Sequence, residues 1–242
     1  MPQNWALTLF PIEDRVLGME HFYQNIQPAP ACRNHFDFQD IYKKIIRACP
    51  ENFVSVEVGI YKGQSLAYLA VEAIKSEKFC TLYGVDKFTD FHASNKVEND
   101  FFRQTQENLL AVQSIVHLVK NSSVLAAKDF DGKADFVFID ADHDYDNVWF
   151  DIVAWQYKCC GLIGGHDYNQ EGVKKAVDEC FGNKVIVLES PRRRTCWMVN
   201  MSDKEWCANA LHHIVKGREH ERRNSNPNVE SASVLETGNV VV

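Results

Sequence analysis

The chain has 242 residues, 45% hydrophobic and 24% charged, with a net charge of −7 and a pI near 5.7. That balance is ordinary for a globular protein and argues against a general nucleic-acid binder, which carries a basic surface. No apolar run reaches the ~18–20 residues of a membrane span, and MPQNWALTLFPIED lacks a basic leader followed by an apolar core. A cytoplasmic protein with no membrane contact is expected. Its eight cysteines form no CxxC pair and are read as reduced thiols, several of them core filler.

In chain order, residues 1–37 form an N-terminal extension whose Trp5, Phe10 and Tyr23 suit a substrate wall, a lid or an oligomer contact. Ile41, Tyr42, Ile45 and Ile46 then make an i, i+4 helical stripe, followed by a strand, FVSVEV (Phe53–Val58). The good helix formers of Ser65–Ser76 precede a second strand, Phe79–Val85. The next connection, KFTDFHASNKVENDFF, is longer than a sheet needs, so Phe88, Phe91 and His92 read as a lid or as packing at a helix start. Phe101, Phe102, Thr105, Leu109 and Val112 stripe a third helix. Strands at Ser114–Val119, Asp135–Ile139 and Gly161–Gly164 alternate with helices around Val148–Trp155 and Gly172–Phe181. Lys184–Glu189 and Thr195–Asn200, joined by a short turn, predict an antiparallel hairpin at one sheet edge. The strands are apolar without strict alternation, as in a parallel sheet covered on both faces, so a three-layer α/β fold over residues 38–216 is expected. Residues 217–242 are polar and aperiodic and read as a flexible tail without assigned function.

Two stretches carry chemistry. The first strand runs into VEVGIYKGQS, where glycines let backbone approach a ligand beyond the carboxyl end of the sheet. The second ends in Gly84-Val85-Asp86, an acidic residue where a ribose diol would be gripped. Together they point to an adenosine-containing ligand. The fourth strand breaks into IDADHDYD, which taken alone is more often a polar turn than a site.

EVGIYKGQS, GVDKF, IDADHDY and GGHDY, in that order, resemble class I (Rossmann-like) S-adenosylmethionine-dependent methyltransferases over roughly Phe38–Asn200. The likeness is greatest to metal-dependent small-molecule O-methyltransferases of the catechol, caffeoyl-CoA and macrolide-sugar type. It implies a seven-stranded, mostly parallel sheet with a C-terminal antiparallel hairpin. It places Glu57, Gly59, Tyr61, Gly63 and Ser65 around the methionine part of the cofactor and Asp86 on the ribose. Ser122 and Ser123 would meet adenine, with an ordinary helix cap as the alternative, and Asn121 stands where a glycine is usual. Asp140, beside the cofactor, would bind a divalent metal with His166 and Asp167. The family more often has carboxylates or an Asp-Asn pair at the last two positions, and the histidine makes Mn²⁺ or Fe²⁺ plausible beside Mg²⁺. A strand cap is the alternative for His166. His143, three residues past Asp140, takes the place of the family's general base.

The expected reaction is methyl transfer to a hydroxyl of a small molecule able to chelate a metal, such as a sugar, a polyketide-like compound or a phenol. Homo-oligomerisation stays open. The rivals are another metal-dependent reaction on the same fold, hydroxylation or hydrolysis, or a non-catalytic S-adenosylmethionine-binding protein. A nicotinamide oxidoreductase is disfavoured by the missing G-x-G-x-x-G.

Overall fold

A computed structural model describes residues 22–26, 36–89, 101–189 and 195–225, without the side chains of 217–225. Strand β1 (Asn52–Val58) lies parallel between β2 (Phe79–Asp86) and β4 (Ala134–Ile139). Strand β3 (Val116–Lys120) pairs parallel with β2, and β5 (Cys159–Gly165) with β4. Strands β6 (Ile186–Glu189) and β7 (Thr195–Asn200) form the expected antiparallel hairpin, with β7 also antiparallel to β5 and β6 outermost. The order is β3-β2-β1-β4-β5-β7-β6. The chain leaves β1 in one direction and returns to its other side at β4. That reversal opens a crevice at the carboxyl ends of β1 and β4, the usual ligand position in such sheets.

Alternate residues of the strands face opposite layers. Phe53, Leu82, Phe136, Phe138 and Leu162 point into one core with helices α1 (Gln39–Ala48) and α2 (Gln64–Lys75). Val56, Val58, Val137, Ile139 and Ile163 point into the other. That second core is covered by α4 (Ser123–Asp129), α5 (Tyr145–Gln156) and α6 (Glu171–Phe181). A short α3 (Phe101–Asn108) lies between β2 and β3 in the chain. The α1 stripe of Ile41, Tyr42, Ile45 and Ile46 is fully buried, each aliphatic member contributing about 1.5–3 kcal/mol.

Two helices go beyond the elements expected from the sequence, although it allows a cap at Ser122 and Ser123 and a solvated helix end at Arg218–Arg223. The first is α4. The second, α7 (Glu205–Ser225), packs on α1 through a stripe that includes Cys207, Ala210, Leu211 and Ile214. Its backbone stays helical to Ser225, into the stretch read as a tail; residues 226–242 lie outside the description, as do Trp5, Phe10, Phe91 and His92. Tyr23 packs edge-on against Tyr68 and Phe36. Phe88 is buried against Phe101 and Phe102, which matches the packing alternative for that residue. Among the described residues no helix is long and apolar enough to cross a membrane, and the described cysteines are free thiols.

Candidate active site

The turn after β1 and the turn after β4 touch. Gly59 has φ +87, and a Cβ there would stand 2.2 Å from the Asp140 carbonyl oxygen, so only glycine lets the two backbones meet. The Gly59 amide donates to Val85 O (2.8 Å) and the Asp140 amide to Val58 O (2.8 Å), tying the turns to the strands. Tyr61 is held at φ +50, unusual for a bulky residue. Its amide donates to Asp86 Oδ2 (2.9 Å), while the Phe88 amide donates to Asp86 Oδ1 (2.7 Å). Both Asp86 oxygens thus accept backbone N–H groups of these turns. From α3, Thr105 Oγ1 donates to Tyr61 O (3.0 Å) and Asn108 Nδ2 to Lys62 O (3.0 Å), bracing the same turn.

These groups border one cavity of about 650 Å³, within the common range of ~300–1,000 Å³ for small-molecule sites. Gly59, Tyr61, Ser65, Asp86, Ser122, Ser123, Asp140, His143, His166 and Asp167 all line it. Glu57 and Gly63 do not. Glu57 stands behind Ser65, whose Oγ donates to its Oε1, and Gly63 forms the left-handed entry to α2 at φ +84. At the α4 end, Ser122 accepts from the Leu125 amide (3.4 Å) as a helix cap. Ser123 accepts from Trp155 Nε1 (2.9 Å).

The aspartates of IDADHDYD separate into kinds. Asp142 is a turn residue: Oδ1 accepts from the amides of His143 (2.7 Å) and Asp144 (3.0 Å), and Oδ2 from Asn147 Nδ2 (3.0 Å). Asp144 and Asp146 open α5. Asp140 instead joins His166 and Asp167 across the ends of β4 and β5, with one ligand atom from each residue lying within 4.8 Å of the others. His166 Nδ1 is 3.5 Å from Asp140 Oδ1 and 3.1 Å from Asp167 Oδ2, and His143 Nε2 is 3.0 Å from the same Asp167 oxygen. Asp167 adopts φ +53.

Residues 56–168 match the sequence family described as a methyltransferase domain. Just under half of the chain thus resembles a methyltransferase domain. A search of curated proteins finds no match. The fold is shared by an O-methyltransferase of Bacillus cereus solved in complex with S-adenosylhomocysteine (13% identity, 81% of this chain, 94% of that one, TM-score 0.51). It is also shared by an S-adenosylmethionine-dependent O-methyltransferase of Thermotoga maritima (16%, 81% and 73%, TM-score 0.51). A precorrin-6y C5,15-methyltransferase of Geobacter metallireducens aligns as well (11%, 79% and 99%, TM-score 0.54). At these identities the likeness speaks for the fold alone.

Electrostatics divide the cavity into two ends. Burial pushes Glu57 up to about 8, against the Ser65 hydrogen bond. The buried Tyr42 hydroxyl on the same side of the sheet interacts with this carboxyl, lowering Glu57 while itself being raised, chiefly by burial. Burial also raises Asp86, opposed by the backbone N–H groups of Phe88, Tyr61 and Ile60 and by Lys87. At the other end, burial alone would depress the His166 imidazole, yet Asp140, Asp167 and Asp37 hold it above its ordinary value. Burial would raise Asp167, but His143 and His166 keep it below the usual carboxylate range. The hydrogen bond to Asp167 lifts His143, outweighing its partial burial.

Sequence reading missed two acidic residues of this candidate site. Asp151, on α5, lines the cavity near Ser123 and is raised to about 6 by burial; its place one turn past Asn147 on a helix opening at the cavity was the available signal. Asp37 lies against His166, and no local motif marks it.

Proposed function

We propose that the protein moves a methyl group from S-adenosylmethionine to a hydroxyl of a small molecule, assisted by a divalent cation and by His143. One observation carries this reading: a single cavity joins the glycine turn and Asp86 at one end to Asp140, His166, Asp167 and His143 at the other. Asp86 would grip the ribose through its carboxylate, and Ser65, backed by Glu57, would meet the methionine end. Ser122, Ser123 and Asp151 would border the adenine.

The donor set fits a divalent cation. Two carboxylates and one imidazole converge from adjacent strand ends, a mixture suited to Mn²⁺ or Fe²⁺ as well as Mg²⁺. When bound, the sulfonium supplies an electrophilic methyl group and the cation acidifies the acceptor's hydroxyl. The chain's own residues do the rest. With Nε2–H donated to Asp167, neutral His143 presents Nδ1 as the proton acceptor, and Asp167 steadies the imidazolium that results. Fixing the acceptor between this base and the glycine turn supplies in-line positioning.

A metal-independent transfer is favoured by one observation: both nitrogens of His166 already face carboxylates. The deciding experiment has two steps. S-adenosylhomocysteine is titrated calorimetrically into the protein, and turnover is then followed on sugar, polyketide and phenolic acceptors with vicinal oxygens, in excess chelator or Mn²⁺. Binding plus Mn²⁺-restored turnover supports the proposal. Full turnover in chelator selects the metal-independent route, and no S-adenosylhomocysteine binding removes both.

A further inference from the structure

Asp37 precedes α1 and lies outside the residues that match the methyltransferase family. Its Oδ1 is 3.0 Å from His166 Nε2, and the two side chains are 5% and 1% exposed. The other ring nitrogen, Nδ1, faces Asp140 and Asp167. The neighbouring Phe38 holds the ring from the side, centroid to centroid 5.1 Å, and is itself wedged against Tyr42 and Phe138. Residues 37 and 38 therefore fix both the rotation and the position of one imidazole, 129 positions away along the chain.

A neutral imidazole has one lone pair to offer a metal, and the hydrogen bond made by the other nitrogen decides which atom offers it. We infer that Asp37 is a positioning residue for the cation site: it accepts the Nε2 proton and makes Nδ1 the donor atom. The inference rests on the cation reading above. It gives a reason for burying a carboxylate where none of the motif residues requires one, since an uncompensated buried charge is costly. It also commits the third ligand to nitrogen, which turns the site away from Mg²⁺ and toward Mn²⁺ or Fe²⁺.

The test reads Mn²⁺ binding directly, by calorimetry and by pulsed electron paramagnetic resonance, on the full chain. Wild type should bind Mn²⁺ with a nitrogen coupling that His166→Ala removes. Asp37→Ala should bind Mn²⁺ about 10- to 100-fold more weakly, the usual cost of losing such a partner, with S-adenosylhomocysteine affinity unchanged. Asp37→Asn keeps the side-chain shape and a carbonyl acceptor, so its loss should be smaller, roughly three- to tenfold, with the nitrogen coupling retained. In a His166→Ala background, removing Asp37 should cost nothing further, because its effect passes through the ring. Mn²⁺ binding by wild type with no loss in either Asp37 variant overturns the inference and leaves the cation reading standing. So do independent, multiplying losses from Asp37 and His166. Absence of Mn²⁺ binding in wild type overturns both.

Discussion

Replacing Gly59 with alanine adds one methyl group where the β1 and β4 turns touch. The new Cβ would stand 2.2 Å from the Asp140 carbonyl oxygen and 2.5 Å from the Ala141 Cα. Both are backbone atoms, so the turns must part by roughly 1 Å to reach van der Waals contact. The φ of +87 adds a conformational cost of about 1–2 kcal/mol for an L-residue, and overpacking adds about 1–3 kcal/mol. The sum of about 2–5 kcal/mol is a large part of a typical stability of about 5–15 kcal/mol. It should lower Tm by roughly 4–20 °C for a chain of this size. Gly132→Ala is the control: its φ is +103, yet nothing lies within 4 Å of its Cβ, so only the conformational cost of about 1–2 kcal/mol applies. Thermal melts of the three proteins, with S-adenosylhomocysteine calorimetry at a temperature where all are folded, separate the terms. The folded Gly59→Ala protein should still bind poorly, because Asp140 and Tyr61 sit on the parted turns. Equal melting of the two variants, with wild-type affinity in Gly59→Ala, would refute the reasoning.

Asp86→Ala removes a charged acceptor that also holds the Tyr61 and Phe88 amides; S-adenosylhomocysteine affinity should fall about 10- to 100-fold, the worth of a charge-assisted bond, and unchanged affinity in a titration would remove Asp86 from the site. His143→Ala should lower kcat by ~10²–10⁴ with cofactor and Mn²⁺ binding kept. Because Asp167 raises the imidazole, the wild-type rate should climb with pH through a midpoint above the ordinary ~6.5; the same rise in the alanine variant would assign it to another group. Glu57 binds its proton more tightly folded than unfolded, with a carboxyl near 8, so it should make stability fall as pH rises from about 4.5 to about 8. Urea unfolding of Glu57→Gln should show a shallower fall across that window, and identical slopes would show that Glu57 does not titrate there.

The sheet was legible because strands such as DFVFI and GLIG carry apolar residues toward both faces, and only a sheet covered twice has that use for them. The α4 segment, SVLAAKD, is too short to show a period. The α7 stripe of Cys207, Ala210, Leu211 and Ile214 does show one, but weak hydrophobes among charges hid it. At the site, residues just past strand ends were legible because register brings them together: Ile139 pairs with Gly165, which sets Asp140 beside His166. Glu57 was read as a ligand contact, whereas its carboxyl lies one layer back, behind Ser65. Asp37 could not be read at all. Its role depends on a contact across most of the domain, and a single aspartate before a helix ordinarily signals no more than a helix start.

The order β3-β2-β1-β4-β5-β7-β6 also sets a hazard during synthesis. A chain made from its N-terminus completes β1, β2 and β3 before β4 exists. In that interval β1 has a neighbour on one side only. Its free edge, flanked by Val54, Val56 and Val58, offers unpaired backbone groups to any other chain in the same state. The strand that later carries the glycine turn is therefore the adhesive edge of the nascent protein, and a fragment ending at Lys120 would self-associate along it.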